Sequence, residues 1–267
     1  MKKRVILICC ALLLVLGVKI FAPEIKGMLV KPTAYAAEQE TAHSVTIKNN
    51  QYLFFGAYND EPILWRVLEV KGGKTLLLSE NVITFKAMNA ADAHHRYGSS
   101  DYESSTIKQW LNSTGTVEYT RAVPSKENVY LSYNAYAEES GFLSDNHFSA
   151  AARAVIAQEG VFLPEEALLK QYLSEEERIK YPSAGAVKQD EAPFVRPASQ
   201  GVWYFTASKN EYSSMSVVAV TSSGGFYKTP ANDGTCGIAP AMKLKQTALP
   251  CTGGEGTKDS PYYVTFD

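Results

Sequence analysis

Ile63-Leu64-Trp65-Arg66-Val67-Leu68-Glu69-Val70, then Lys71-Gly72-Gly73-Lys74 and Thr75-Leu76-Leu77-Leu78-Ser79, is the stretch that decides the fold. Two apolar runs flank a short segment that holds adjacent glycines. Such runs are typical of β-strands, and adjacent glycines supply the positive φ that a tight turn needs. The stretch therefore predicts a β-hairpin early in the folded chain.

Strand patterns also occur on both sides of this hairpin. Upstream, residues 45–48 and 52–55 are short apolar segments, and the second ends at Gly56. Downstream, after Pro182, the candidate strands are 202–206, 216–221 and 238–244. Loops rich in Ser, Gly and Asn separate the downstream strands, as expected for turns.

Helix signals lie in the middle of the chain. Ser104 or Ser105 can cap a helix in which Ile107, Trp110 and Leu111 share one face. Further helices are predicted over 149–158, from Pro164 onward, and after a capping box at 174–177. Strands first, helices in the middle and strands last predict an α+β fold, in which both ends of the chain meet in one antiparallel sheet.

The N-terminus has the pattern of a secretory signal. Residues 1–4 are Met-Lys-Lys-Arg, residues 5–18 are apolar or small, and 34–36 read Ala-Tyr-Ala, like a signal-peptidase site. The apolar run is shorter than the roughly 20 residues of a spanning helix. We therefore predict a cleaved signal over 1–36, and an uncleaved membrane anchor is the alternative. The predicted organisation then continues with a flexible leader (37–44), a single domain (45–251) and a flexible tail (252–267).

Composition limits the partners and the compartment. Hydrophobic residues make up 45% of the 267 residues and charged residues 20%, as in ordinary globular proteins. The net charge is -2 without a basic block, which argues against nucleic acid as a partner. The signal predicts a secreted protein or one on the extracellular face of the envelope, with membrane contact only through an uncleaved N-terminus. Cys236 and Cys251 would remain after cleavage, and an even pair in an oxidising compartment predicts a disulfide.

Five motifs carry a family resemblance. They are 53–58 (Leu-Phe-Phe-Gly-Ala-Tyr), 63–68 (Ile-Leu-Trp-Arg-Val-Leu), 76–80 (Leu-Leu-Leu-Ser-Glu), 102–112 (Tyr-Glu-Ser-Ser-Thr-Ile-Lys-Gln-Trp-Leu-Asn) and 161–167 (Val-Phe-Leu-Pro-Glu-Glu-Ala). Over about 50–246 the chain resembles a secreted bacterial family catalogued as domain of unknown function 6273. It departs from that family at 202–208 and 237–242, where two arginines of the family pattern are missing. The downstream segments also follow a recognisable order: a Trp strand, a strand ending in Ser-Gly, a polar loop and a Gly-x-x-Pro-Ala strand. This order resembles the pattern of the C-type-lectin-like fold. The resemblance implies that the chain adopts that fold.

One candidate site combines His94 and His95 with Asp101. Imidazole and carboxylate groups could serve a cell-envelope hydrolase or modifying enzyme. Adjacent histidines do not complete a spaced ligand set, so we predict no metal and no other cofactor. A solvated loop is the ordinary interpretation of this polar stretch.

Aromatic rings on irregular segments are the stronger functional signal, because amphipathic rings bind sugars and protein surfaces at a small entropic cost. The predicted binding residues are His94, His95, Tyr97, Tyr204, Tyr212, Phe226, Tyr227 and Asn232. Trp65, Trp110 and Trp203 are expected in the core, since each lies in a regular apolar pattern. We predict a secreted, non-enzymatic module that binds a cell-envelope glycan or a surface protein through loops 88–103 and 208–234, and the hydrolase is the alternative.

Overall fold

The structure is a computed structural model that describes residues 41–131, 139–190, 192 and 196–266. The predicted signal at 1–36 and residues 37–40 of the predicted leader lie outside these residues. Within the described ranges, no helix is both long and apolar enough to cross a membrane.

The described residues form an α+β arrangement that is mostly sheet. The strands are β1 (His43–Thr46), β2 (Tyr52–Tyr58), β3 (Glu61–Lys71), β4 (Lys74–Ser79), β5 (Thr84–Phe85), β6 (Ile156–Phe162), β7 (Tyr204–Lys209), β8 (Ser216–Val220), β9 (Phe226–Pro230), β10 (Gly237–Ile238), β11 (Ala241–Leu244), β12 (Ala248–Cys251) and β13 (Tyr262–Tyr263). The α-helices are α1 (Thr106–Asn112), α2 (Ala150–Ala154), α3 (Glu166–Tyr172) and α4 (Ala184–Lys188), with a 3₁₀ turn at Glu176–Arg178.

The predicted hairpin is the centre of a six-stranded sheet. Strands β3 and β4 pair antiparallel across Gly72 and Gly73, whose φ angles are 58° and 76°. The strand order is β13-β2-β3-β4-β11-β6, so C-terminal strand β11 lies beside β4. The prediction that both chain ends share one sheet is thus confirmed for β11, although β13 runs parallel to β2 and makes the sheet mixed.

A second sheet was not predicted. Strands β5-β10-β7-β8-β9 form it in that order, and β10 is parallel to β7. The segment predicted as one strand over 238–244 is divided, with β10 in this second sheet and β11 in the first. Pro240 lies at the division, where its missing N–H and fixed φ interrupt a continuous strand. The prediction of a single sheet was therefore wrong.

The second sheet is buried on both faces around β7 and β8. Residues directly opposite each other in an antiparallel pair project to the same face. Phe205 and Ala219 are such a pair, and both belong to the core cluster that contains Trp65. Tyr204 and Val220 form the next pair and belong to a second cluster on the other face.

Three local predictions differ from the structure. The helix predicted over 149–158 ends at Ala154, because β6 begins at Ile156 and pairs with β11. The predicted leader reaches into β1, where His43 lies opposite Cys251 in a two-stranded sheet with β12. The predicted flexible tail carries β13, which pairs with β2, so this glycine-rich segment is held by backbone hydrogen bonds.

The predicted disulfide between Cys236 and Cys251 is absent, and both residues are buried free thiols. Cys251 lies in β12, and its thiol donates to the carbonyl oxygen of Leu249 at 3.5 Å. Cys236 immediately precedes β10 in the other sheet. Burial raises the pKa of Cys236 well above its usual range and that of Cys251 to about 11, so both thiols stay protonated at neutral pH.

Candidate ligand-binding surface

The two loops expected to carry recognition meet through their backbones. The N–H of Asn232 donates to the carbonyl oxygen of Tyr97 at 2.9 Å, and Ser100 N–H donates to Ser214 at 2.7 Å. These bonds connect loop 88–103 to loop 208–234. The main chains of the two loops are therefore hydrogen-bonded to each other.

A third segment joins this junction and was missed by the sequence analysis. The N–H of Tyr130 donates to the carbonyl oxygen of Asn232 at 2.8 Å, and Gly234 N–H donates to Tyr130 at 3.0 Å. The Tyr130 side chain is exposed. Tyr130 could have been found from the sequence, because it is an aromatic residue in an irregular polar segment. The same signal identified Tyr97.

A groove of about 460 Å³ lies next to the junction and is called the Trp203 groove here. Its lining residues are Arg196, Gln200, Gly201, Val202, Trp203, Ser222, Thr229, Asp233 and Thr235. Trp203 is partly buried and packs against the cluster that contains Trp65. Sequence reasoning placed Trp203 in the core, but part of it also forms the wall of this groove.

The carboxylate of Asp233 is held in one orientation in the groove. One oxygen accepts from the backbone N–H and the hydroxyl of Thr235 at 2.8 and 2.7 Å. The other accepts from the hydroxyl of Thr229 at 3.0 Å. These bonds fix the direction in which the remaining acceptor capacity of the carboxylate points.

Arg196 brings a buried cation to the same groove. Its Nε lies 2.6 Å from a carboxylate oxygen of Asp190, and both side chains are almost fully buried. The guanidinium stacks over the ring of Phe85 at 4.0 Å. Burial lowers the pKa of Arg196, and the nearby Asp190 offsets part of this effect. The carboxylate of Asp190 thus compensates the buried charge of Arg196.

A second groove of about 350 Å³ lies beside β9 and is called the Tyr212 groove here. Its lining residues are Glu166, Lys209, Asn210, Glu211, Tyr212, Val218, Phe226, Tyr227 and Lys228. Tyr212 is 85% exposed, and the Lys228 ammonium lies 5.4 Å from its ring centre. Phe226 is partly buried beneath Lys170 and Arg178, whose cationic groups lie 5.2 and 4.9 Å from its ring centre.

The two grooves follow from the alternation of side chains along β9. Thr229 is opposite Val217, which belongs to the Trp65 cluster, so Thr229 projects on that side. Phe226 is opposite Val220 and packs against the other cluster. Because β9 is an edge strand of its sheet, both faces continue outward past the core into solvent-accessible grooves.

Tyr227 lies between the two grooves. Its side chain is 63% exposed and lines the Tyr212 groove. Its ring also contacts Trp203 edge to face, with the ring centres 6.1 Å apart. Tyr212, Phe226 and Tyr227, all predicted binding residues, are thus brought together on this surface.

The structure places Tyr204 in the core and not on this surface. Its side chain is fully buried, and its hydroxyl donates to the carbonyl oxygen of Arg178 at 2.9 Å. Burial raises the pKa of this phenol. The strand alternation in β7 explains the position, since Tyr204 projects towards the second cluster.

His94 and His95 form a local turn around Asp92. One Asp92 oxygen accepts the backbone N–H groups of both histidines at 2.8 and 2.7 Å, and it lies 3.0 Å from Nδ1 of His95. Partial burial opposes ionisation of Asp92, but these hydrogen bonds outweigh it and lower the pKa of the carboxyl.

Asp101 belongs to an ion-pair network next to this turn. It accepts from the hydroxyl of Ser104 at 2.6 Å and lies 3.4 Å from the ammonium of Lys209. The Ser104 hydroxyl, Lys209 and Arg121 together lower the pKa of Asp101. Arg121 lies 3.5 Å from Asp101 and 4.0 Å from Asp92, so it links the two carboxylates. Among the residues that the structure describes, no group of three His, Cys, Asp or Glu could hold a metal ion.

Comparison with known proteins identifies one family. The family described as Domain of unknown function (DUF6273) matches residues 72–246. The range contains both grooves and three of the resemblance motifs, while the motifs at 53–58 and 63–68 precede it. No curated protein and no solved structure matches the chain. Since the match spans more than half of the chain, the protein belongs to the family DUF6273, a domain of unknown function.

Proposed function

We propose that this chain is a secreted, non-enzymatic binding module that holds a cell-envelope glycan in the Trp203 groove. The observation that carries the proposal is the pairing of Trp203 and Tyr227 next to the fixed carboxylate of Asp233. An aromatic ring offers a flat apolar surface, and fixed polar groups beside it set the orientation of a ligand.

This combination suits a sugar. A pyranose ring has an apolar face of C–H groups, which can stack on an aromatic ring, and hydroxyls at its edge. Asp233 accepts three hydrogen bonds from side chains and backbone of the described residues, and an ionised carboxylate has about four acceptor positions. One position therefore remains for a sugar hydroxyl, and Gln200 and Ser222 add polar groups to the groove.

A surface protein is the less favoured ligand. One way for a protein to bind at this sheet edge is to add a strand to β9. That edge is short and contains Lys228 and Pro230. Lysine and proline on an edge strand oppose the addition of another strand.

The export signal and the fold resemblance belong to the same proposal. A signal over 1–36 would bring the groove to the extracellular face of the envelope, where such glycans occur. A C-type-lectin-like architecture is supported by the meeting of N-terminal strand β4 and C-terminal strand β11 in one sheet. The membrane would be contacted only through an uncleaved N-terminal segment.

The alternative, a cell-envelope hydrolase acting at His94, His95 and Asp101, is less favoured by the geometry. Asp101 is engaged by Ser104, Arg121 and Lys209. His95 is directed at Asp92, a different carboxylate. The side chains are thus engaged with one another in a surface network, and such exposed networks typically contribute little energy.

The test is direct binding to a panel of linear oligosaccharides of two to six sugars, built from N-acetylglucosamine, glucose, galactose or mannose. We expect at least one series to bind, and Trp203→Ala and Asp233→Asn each to weaken that binding about tenfold, roughly 1.4 kcal/mol. Tyr263→Ala is the matched control, because Tyr263 is an exposed tyrosine of the other sheet. Thermal unfolding of each variant separates lost binding from lost folding. A protein that binds no member of the panel, or a Trp203→Ala variant that binds normally, contradicts the proposal.

A further inference from the structure

The Trp203 and Tyr212 grooves have Tyr227 in common. Tyr227 lines the Tyr212 groove, and its ring contacts Trp203 in the other groove. The edge-to-face contact of these two rings therefore links the two grooves. The two grooves are adjoining parts of one surface.

The passage between the grooves is open at the sheet edge. In the part of the chain that the structure describes, β9 pairs with β8 and has no strand on its outer side. Tyr227 and Lys228 are both exposed on this strand. A ligand can thus cross the outside of β9 without displacing a strand.

Tyr212 is presented by a fixed turn at the far end of the surface. The amide of Asn210 accepts from the N–H of Tyr212 at 3.2 Å and donates to the hydroxyl of Ser216 at 2.6 Å. Ser213 N–H donates to the carbonyl oxygen of Asn210 at 3.2 Å. These bonds hold the backbone of the turn while the Tyr212 ring remains in solvent. A large ring kept exposed on an ordered turn has a low entropic cost for stacking with a ligand.

On the basis of the proposed function, we infer that the site binds an internal stretch of a linear glycan and not a single terminal sugar. Successive sugars lie on Trp203, Tyr227 and Tyr212, so that the chain crosses the outer edge of β9. The Trp203 groove supplies the oriented polar contacts, and Tyr212 adds a stacking platform that only a longer chain reaches.

The experiment is isothermal titration calorimetry of the purified protein with the members of the panel, from two to six sugars. We expect the affinity to rise with length by about tenfold or more between the shortest and longest members of a binding series. Tyr212→Ala should remove this gain and leave the affinity for the two-sugar member unchanged. Tyr212 is 85% exposed, and its ring contacts the Lys228 ammonium at the surface, 5.4 Å from the ring centre, so the variant should fold normally. Tyr263→Ala again serves as the control and should keep the full dependence on length.

Three results would overturn the inference. Equal affinity for two and six sugars, or an unchanged length dependence in Tyr212→Ala, contradicts the extended path, although binding that depends on Trp203 would leave the proposed function intact. An equal loss at both lengths in Tyr212→Ala would place the short ligand on Tyr212 and also contradict it. A protein that binds no oligosaccharide at all contradicts both the inference and the proposed function.

Discussion

The backbone N–H of Asn232 donates to the carbonyl oxygen of Tyr97 across 2.9 Å, and this bond connects two loops that are distant in sequence. Gly98 follows Tyr97 with a φ of 73°, a conformation that L side chains rarely adopt. A Cβ at Gly98 would lie 2.4 Å from the carbonyl oxygen of Asn89 and 3.0 Å from the N atom of Asn232. The junction of loops 88–103 and 208–234 therefore depends on glycine at this position.

We predict that Gly98→Ala lowers the free energy of unfolding by about 2–4 kcal/mol, because backbone strain and a steric clash with backbone atoms add. Gly72→Ala is the matched control. It has a φ of 58° and open space around it, so it measures the cost of the conformation alone, about 1–2 kcal/mol. Urea denaturation of both variants provides the comparison. Equal losses would show that the close approach of the two loops at Gly98 has no energetic consequence.

The second prediction concerns the two thiols. In the native protein at pH 8, iodoacetamide should modify neither Cys236 nor Cys251, since the thiolate is the reactive form and burial raises both pKa values. In denaturant without any reductant, both should be alkylated completely. Peptide mass spectrometry of the two cysteine-containing segments reads out each position. Recovery of the two peptides linked to each other would restore the disulfide that the sequence suggested.

The hairpin and helix α1 could be predicted because their signals are local. Gly72 and Gly73 specify the turn by themselves, and Ser105, one of the two predicted caps, accepts from the N–H of Lys108 at 3.1 Å. Strand β6 was missed because its stability comes from pairing with β11, a partner far away in sequence. The alanine-rich start of the segment indicated a helix, and no local signal indicated the pairing with β11.

The candidate site was only partly predictable for the same reason. Rings on irregular segments identified Tyr212 and Tyr227, but the sequence does not tell which face of a strand is covered. Tyr204 is buried by the second cluster, while Trp203, one residue earlier, projects to the opposite side and lines a groove. That difference depends on the two layers packed against the sheet, which only the tertiary structure provides.

The third prediction tests the reassignment of Tyr204. Its hydroxyl donates to the carbonyl oxygen of Arg178 in the core. Tyr204→Phe should therefore lower the free energy of unfolding by about 1 kcal/mol, the value of one buried hydrogen bond. Glycan affinity at the Trp203 groove should stay unchanged in calorimetry. A variant with normal stability and weakened binding would return Tyr204 to the binding surface.

The last prediction concerns Lys180, a buried lysine whose ammonium donates to the carbonyl oxygens of Ser79 and Glu80 at 2.5 and 3.1 Å. Burial lowers its pKa from 10.5 to about 8, and the nearby Glu80 opposes this only in part. At a pH between these two pKa values, the unfolded chain binds more protons at this position than the folded chain. The contribution of Lys180 to stability therefore rises with pH across this window, and below about pH 8 the cost of the buried charge is fully present.

Lys180→Met removes this titration together with the two hydrogen bonds. The difference in unfolding free energy between the wild-type protein and the variant should shift in favour of the wild type by about 2 kcal/mol from pH 7 to pH 10. Urea denaturation of both proteins at half-unit pH intervals measures the difference. Because other titrating groups are common to both proteins, their effects cancel in it. A difference that stays constant with pH would mean that the charge of Lys180 is as well solvated in the folded chain as in the unfolded one.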